Sequence, residues 1–577
     1  MVQHQAQFRT PPRSHRPDPK DDMAARDPAP PSRTGDPELI GYSAWSPDRI
    51  LTAVLRGISP TDIPGDFVVT ARCAPDHPAS GAKAQPAPGQ DGPQAPTEMI
   101  ITSAVSAHPY YYVVKDGRLL HGQDVFSLVR QAGLPWRWNQ RAVRQLTLLG
   151  HPTGEDTLHP DVRRVPNAAV IRFAHGRMTI NRSSFWDTLP QEPALSPLDV
   201  SDVLHEVLDE LTGDHPLISL SGGFDSRLLL GRAIAVGSSP QALTMGAPDS
   251  TDQVIATRIA RDLGIPHHTI ELNPADYLTH AARIVRITGG TKTAANWHTY
   301  LYTVGARAYG ATPHVVGTNG ELVRTPYCNR GALARTLGRG GDAFVRAFFA
   351  ARTEWRRRRF ARYLPLLTDS PRDSLRLADE IARLVEGPGD GLAHLDRFFS
   401  VQRVRHFHGN GLALYRTNIP TVSPFLDSRW IRAAARMPRV ERMGCNFHRL
   451  VIERNLPRLL EYPTPFEPVM YRRAPAGYWL RRKPPVVSYN AFAGVVQDKR
   501  VHERIIEESS LDAFTTRRQR EAIVRDRVPQ AIDLLLTLAH VEPVARETRV
   551  GSGCADPRAR SAADGAPAGV SQVVTAR

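Results

Sequence analysis

The chain has 577 residues, 41% of them hydrophobic, and a net charge of +15. That length implies two or more domains, with enough apolar residues for their cores. No apolar run approaches the ~20 residues of a membrane span, and residues 1–36 lack the apolar stretch of a signal peptide. Cys73, Cys328, Cys445 and Cys554 are scattered, with no CxxC pair and no disulfide framework, as expected for a reducing cytoplasm. Only six lysines occur among the 73 basic residues. The charge therefore reads first as arginine-rich composition, and second as a surface for an anionic or polymeric partner. The run "EWRRRRF" (354–360) reads as a solvated helix face, or as a docking place for a substrate or partner.

In chain order, residues 1–36 have a disordered composition rich in Pro, Arg and Asp. "ILTAVLRGIS" is patterned as a helix and "GDFVVTARC" as a strand. The Pro/Ala/Gly-rich stretch 74–96 predicts a flexible insertion. Short strands resume over 97–122, and a helix over 136–150 ends at glycine. A hairpin is predicted over 167–182, turning near His175–Gly176. These elements define a β-rich domain over 37–195.

From 196 the pattern becomes helix, strand, helix, strand. A helix over 198–212 precedes the buried strand "HPLISL"; "RLLLGRAIAVG" reads as the next helix, closed by Gly237. "QALTMG" is a second strand, and 250–264 a helix capped by Ser250 or Thr251 and ended by Gly264. "HHTIEL" and "PHVVG" follow as strands, and 340–460 is mainly helical. Alternating βα units predict an α/β fold with a parallel sheet covered on both faces. This second domain spans 196–545, and 546–577 reads as a disordered tail. There is no internal repeat.

The stretch "SLSGGFDS" joins the first of these strands to a helix. In open α/β sheets, ligands sit beyond the carboxyl ends of the strands. Glycines there let backbone N–H groups approach an anion, and the helix N-terminus adds positive potential. Ser221, Gly222, Gly223, Asp225 and Ser226 are thus candidate phosphate-binding residues, with Asp225 suited to Mg²⁺ carried on the phosphates. The Gly-Lys-Ser/Thr ending of a Walker A loop is absent, and so is G-x-G-x-x-G.

The S-G-G-x-D-S string resembles the pyrophosphate loop of N-type ATP pyrophosphatases, which release AMP and pyrophosphate while adenylating a carboxylate. Four further segments resemble the asparagine synthetase superfamily, in family order: "SAHPYYYV", "GEDTLHPDVRRVPNAAVIRF" (154–173), "HVVGTNGELV" (314–323) and "TVSPFLDSRWIRAAARMP" (421–438). The resemblance covers roughly residues 37–500. It implies a glutaminase-type αββα domain followed by a PP-loop synthetase domain using ATP and Mg²⁺. It also implies that Leu220, Met245, Val316 and Gly317 frame the adenosine.

Three departures qualify it. Glutamine-dependent members use a cysteine as first residue after Met removal; residue 2 here is Val and the next cysteine is Cys73. The glutaminase is therefore expected to be degenerate, with nitrogen supplied by another nucleophile. In "GTNGEL", Thr318 stands where the family has its first acid, leaving Glu321 as a metal ligand or as base toward the amine. The family's pyrophosphate-stabilising lysine has no clear match; Lys483 is the candidate, with Arg472 or Arg473 closer by position.

"TGGTKTAANWH" (288–298), "GTNGELVR" and "FHRLVIERNLPRLLEYP" (447–463) are most similar to lasso-peptide macrolactam synthetases. That resemblance implies a precursor peptide as the carboxylate substrate and a leader protease as partner; from the composition, no membrane or nucleic-acid partner is expected. An ammonia-using asparagine synthetase, a PP-loop tRNA-modifying ligase and an inactive scaffold are the alternatives.

Overall fold

The computed structural model describes residues 37–43, 45–73, 97–309, 313–324, 326–327, 341–361, 363–364, 370–465 and 486–550. The expected disordered segment 1–36 and flexible insertion 74–96 lie outside them, as does all of the expected tail beyond Val550.

The first half is built of four layers. Strands β1 (Glu38–Tyr42), β2 (Asp66–Cys73), β3 (Thr97–Thr102), β7 (Ala169–Ala174) and β8 (Arg177–Arg182) form an antiparallel sheet in that order. Strands β4 (Tyr111–Lys115), β5 (Arg118–Gly122) and β6 (Arg163–Arg164) form a second sheet, ordered β5-β4-β6. Alternation along β2 and β3 assigns the faces. Phe67, Val69 and Ile101 pack on α1 (Pro47–Leu55), whereas Val68 and Ile100 face Tyr110, Tyr112 and Leu119 of the second sheet. Tyr111 and Val113 point the other way, onto α2 (Val125–Gln131). The result is an αββα stack. Helix α3 (Gln140–Leu149) ends at Gly150 with φ +86°, and the β7–β8 hairpin turns at His175 and Gly176, both at positive φ.

The second half is organised by a five-stranded parallel sheet of order β11-β10-β9-β12-β13, made of β9 (Leu217–Ser219), β10 (Gln241–Met245), β11 (His267–Ile270), β12 (His314–Val315) and β13 (Thr421–Val422). Helices α4 (Pro197–Thr212), α5 (Phe224–Ala235) and α6 (Thr251–Leu263) pack with the 421–462 region in one apolar core. Helices α7 (Asp276–Thr288) and α8 (His298–Ala306) pack with the C-terminal helices in another. The Gly341–Phe360 and Pro371–Leu384 helices form a satellite cluster with Phe398.

Three local expectations are corrected. Helix α5 starts at Phe224 rather than Arg227, because Gly223 in extended conformation already serves as its N-cap; Asp225 and Ser226 therefore lie in its first turn. Ser250 holds the N-cap position of α6, but its buried hydroxyl makes no capping bond. The last helix, Val541–Val550, runs past residue 545, since Val541, Val544 and Ala545 are pinned in the core shared with α7. Strand β13 was not foreseen at all; two residues carry no period.

Candidate active site

Strand β9 pairs with β10 on one side and β12 on the other, so connections leave it in opposite directions. That switch point is where α/β sheets open a crevice at their carboxyl ends. The 220–226 segment leaves β9 there and the 316–321 segment leaves β12. Leu220 and Val316 are buried, with their amides donating to the Leu243 and Val422 carbonyls, while Met245 closes β10. The expected adenosine-framing residues thus share one sheet edge. Gly317 completes the set, lying against Asp225, where an added Cβ would sit 2.7 Å from the Asp225 Cβ.

The glycine loop is internally satisfied. The Gly222 N–H donates to Asp252 Oδ1 at 2.8 Å, the Gly223 N–H to Ser221 Oγ at 3.1 Å, and the Ser221 N–H to Ser226 Oγ at 3.1 Å. This corrects the expectation that the Gly222 and Gly223 amides stand ready for an anion. The Asp252 carboxylate already occupies the first of them. The first-turn amides of α5 are the donors that continue the loop. Burial pushes the Asp252 carboxyl up, against the opposing pull of the Gly222 amide and Arg227. Arg227, fully buried, donates to the carbonyls of Gly222, Leu459, Tyr462 and Pro463, and so ties the loop to the 459–463 segment.

Asp225 is the centre of the site. Its Oδ1 accepts from His448 Nε2 at 2.7 Å, and its Oδ2 from Arg324 at 2.8 Å. Burial would raise its carboxyl, but Arg324 and His448 outweigh burial and hold it below the usual carboxylate range. Both oxygens are engaged, so Asp225 as found is an ion-pair acceptor rather than an open metal ligand. Glu321 lies 3.7 Å from Arg324, with its Oε2 buried and unpartnered. Burial and the neighbouring Asp225 push the Glu321 carboxyl up. For Mg²⁺, therefore, the orphaned Glu321 oxygen fits and the occupied Asp225 oxygens do not. Among the described residues, no cluster of three His, Cys, Asp or Glu side chains is placed to hold a metal.

The turn carrying Glu321 is fixed by the segment after β13. Asn319, buried at φ +78°, donates to the Phe425 carbonyl at 2.7 Å, and Ser423 donates to the Thr318 carbonyl at 2.6 Å. Asp427 caps the Ser428–Arg436 helix. The P-F-L-D string thus acts as a brace for the 317–321 turn. Lys483, Arg472 and Arg473 lie outside the described residues. The chain on both sides of that stretch borders the loop. Pro465 covers Gly222, Tyr489 covers Gly246, and Val487 exchanges hydrogen bonds with Thr251.

His448 and Arg324, the two partners of Asp225, were not singled out from sequence. Arg324 lies in the quoted "GTNGELVR", three positions after Glu321 on one short helix, which was the available hint. His448 lies in the quoted "FHRLVIERNLPRLLEYP", but 223 positions separate it from Asp225 and nothing local points to the pairing.

Residues 201–461 match the family model described as asparagine synthase. The match begins in α4 and ends just before Pro465, so it contains the glycine loop, the 316–321 turn, the P-F-L-D brace and His448. This asparagine synthase domain indicates an ATP-dependent carbon–nitrogen ligase. No curated protein matches the chain. No helix among the described residues is long and apolar enough to cross a membrane.

Proposed function

We propose that this ligase adenylates a side-chain carboxylate of a precursor peptide and closes a macrolactam with the peptide's own amine, in the manner of lasso-peptide cyclases. The observation that carries the reading is the convergence of Asp225 and Glu321 at the switch point, beside a helix N-terminus suited to phosphates.

The peptide carboxylate attacks the α-phosphorus of ATP and pyrophosphate leaves. The amine then attacks the acyl carbon, loses a proton, and AMP leaves. The first turn of α5 supports the phosphates, and Asp225, held by His448 and Arg324, keeps that turn and Arg324 in position. A basic residue of the 466–485 stretch, Lys483 or Arg472/Arg473, would neutralise the leaving pyrophosphate. Mg²⁺, if carried in with the nucleotide, would find its protein oxygen on Glu321 and lend charge to the same leaving group. Glu321, raised by burial and by Asp225, suits the removal of the amine proton.

Holding amine and activated carboxyl in one cavity supplies an effective molarity of up to ~10⁵ M or more, so no ammonia delivery is needed. A leader protease acting on the same precursor is the expected partner, and the cytoplasm the expected compartment.

The test is mass spectrometry of candidate core peptides incubated with enzyme and ATP, with AMP and pyrophosphate measured in parallel. Loss of one water that depends on ATP and disappears in Asp225→Ala supports the reading. Release of ADP and phosphate refutes AMP-forming chemistry. Asparagine made from free aspartate and ammonia at comparable efficiency refutes the macrolactam.

A further inference from the structure

The turn that carries Glu321 is held from outside the parallel sheet. Strand β13 pairs with β12 through Thr421 and Val422 alone. That is shorter than an ordinary strand and too short to fix its own continuation. Yet residues 422–425 make three bonds to the segment that follows β12. The Val316 N–H donates to the Val422 carbonyl at 3.1 Å, the Ser423 hydroxyl to the Thr318 carbonyl at 2.6 Å, and the Asn319 side-chain amide to the Phe425 carbonyl at 2.7 Å. Whatever positions 422–425 therefore positions the turn.

The β-rich first half supplies the grip. Tyr42, the last residue of β1, donates its hydroxyl to the Ser423 carbonyl at 2.6 Å, across 381 positions of sequence. Burial, with Asp427 and Asp66 nearby, pushes the Tyr42 phenol up, so it stays a donor. Beside it, Arg416 Nε donates to the Thr421 carbonyl at 2.9 Å, and the same guanidinium meets His108 Nε2. The turn before His108 is fixed by Asp66, fully buried, which accepts from the Ser103 hydroxyl at 3.1 Å and from the Ala107 N–H at 2.9 Å. Gly41 lets β1 lie this close. Its φ is +112°, and a Cβ there would strike the Asp66 carbonyl and lie 3.0 Å from the His108 ring.

Other bonds between the two halves bypass the turn. The Ser428 hydroxyl donates to the Ile63 carbonyl at 2.6 Å, and Arg432 to Asp62 at 2.8 Å, both from the helix that follows Asp427. Tyr42 is different. It is one hydrogen bond from Ser423, and Ser423 is one hydrogen bond from Thr318, three positions before Glu321.

We propose that Tyr42 is a positioning residue for the ligase reaction: acting through Ser423, it sets the 317–321 turn and so the station of Glu321. The β-rich half thereby forms part of the synthetase site. This rests on the ligase reading and adds a residue to its machinery.

The test uses the full-length protein. Tyr42→Phe keeps the ring and removes only the hydroxyl. Ser423→Ala keeps the carbonyl that Tyr42 holds and removes the bond to Thr318. Ser428→Ala removes a bond of the same kind between the halves, away from the turn. Hydrogen exchange is read on the peptide carrying 316–322, where the Gly320 and Leu322 amides donate to the Gly317 and Asn319 carbonyls at 3.2 Å each. Tyr42→Phe and Ser423→Ala should each speed exchange there about 10-fold, and Ser428→Ala less than about 2-fold. AMP formation is measured at a temperature at which every variant is folded. Tyr42→Phe should lower kcat about 10-fold with the KM for ATP within about 2-fold, because the glycine loop keeps its own bonds. The double variant Tyr42→Phe/Ser423→Ala should be no slower than Ser423→Ala alone, since the two bonds lie in series. Unchanged exchange at 316–322, multiplied losses of kcat in the double variant, or an equal loss of kcat in Ser428→Ala overturns the proposal. Exchange is read without substrate, so a wild-type protein that forms no AMP counts against the ligase reading alone.

Discussion

Gly320→Ala tests whether Asp225 is held as described. A Cβ at Gly320 would fall inside the van der Waals shell of Asp225 Oδ1, and 2.6 Å from its Cγ. The neighbour is not a free side-chain end that can swing away at little cost. It is a carboxylate bonded to His448 at 2.7 Å and to Arg324 at 2.8 Å. Clearing the overlap means breaking at least one of these. Charge-assisted hydrogen bonds contribute about 1.5–3 kcal/mol each, so the substitution should cost about 2–4 kcal/mol. In an Asp225→Ala background the clashing atoms are gone. The nearest remaining one, the residue-225 Cβ, is 3.2 Å away, and Gly320→Ala should then cost under about 1 kcal/mol. The assay is a double-mutant cycle by urea denaturation, with AMP formation measured on the Gly320→Ala single variant. A coupling of about 2 kcal/mol or more is expected, with activity reduced about 100-fold. Additive costs would refute the packing of Gly320 on a fixed Asp225.

Two further outcomes follow from buried groups. His314 bridges Ser219 and Thr421 across the parallel sheet, and His151 bonds the Pro152 carbonyl; burial holds both down to about 3. The unfolded chain protonates these rings below ~6.5 and the folded chain refuses the proton until about 3, so stability falls with pH over that window. Each ring should remove about 1 kcal/mol between pH 6.5 and 5.5, read from urea midpoints, and a flat profile would contradict their burial. Cys73 is buried in the layer between α1 and its sheet, with Sγ 3.8 Å from Met99 Sδ. Cys73→Ala should leave amide synthesis unchanged, and glutamate release from glutamine should stay at background in both proteins; release that vanishes on mutation would reverse the assignment.

The parts of this molecule that follow local rules were legible in the sequence. The hairpin at His175–Gly176, the glycine ends of α3 and α6, and strands β9 and β10 each have a short-range cause: positive φ, an apolar run, a period of two. The glycine loop was legible because its spacing is itself the chemistry. What escaped depends on distance along the chain. Asp252 filling the Gly222 amide, His448 on Asp225 and Phe425 on Asn319 join residues 30, 223 and 106 positions apart. The two-residue strand β13 is defined only by its partner β12. A polar residue chosen to satisfy a remote atom leaves no periodic trace, and His448 looks from sequence like any helix residue.

The basic composition gains a different meaning from the same geometry. Arg164, Arg227, Arg405, Arg442 and Arg449 are all fully buried. Arg405 donates to the Gly154 and Val165 carbonyls, Arg164 to those of Ala107 and Arg405, and Arg227 to four carbonyls around the glycine loop. A guanidinium has five donors in a fixed plane, so one side chain can join several loop carbonyls that would otherwise be buried unmet. Irregular segments such as 153–156 and 459–463 can then pack inside the molecule rather than on its surface. Part of the positive charge is thus spent on architecture. Lys292 does not fit that account. It satisfies a single carbonyl and shares its aromatic ring with a second cation.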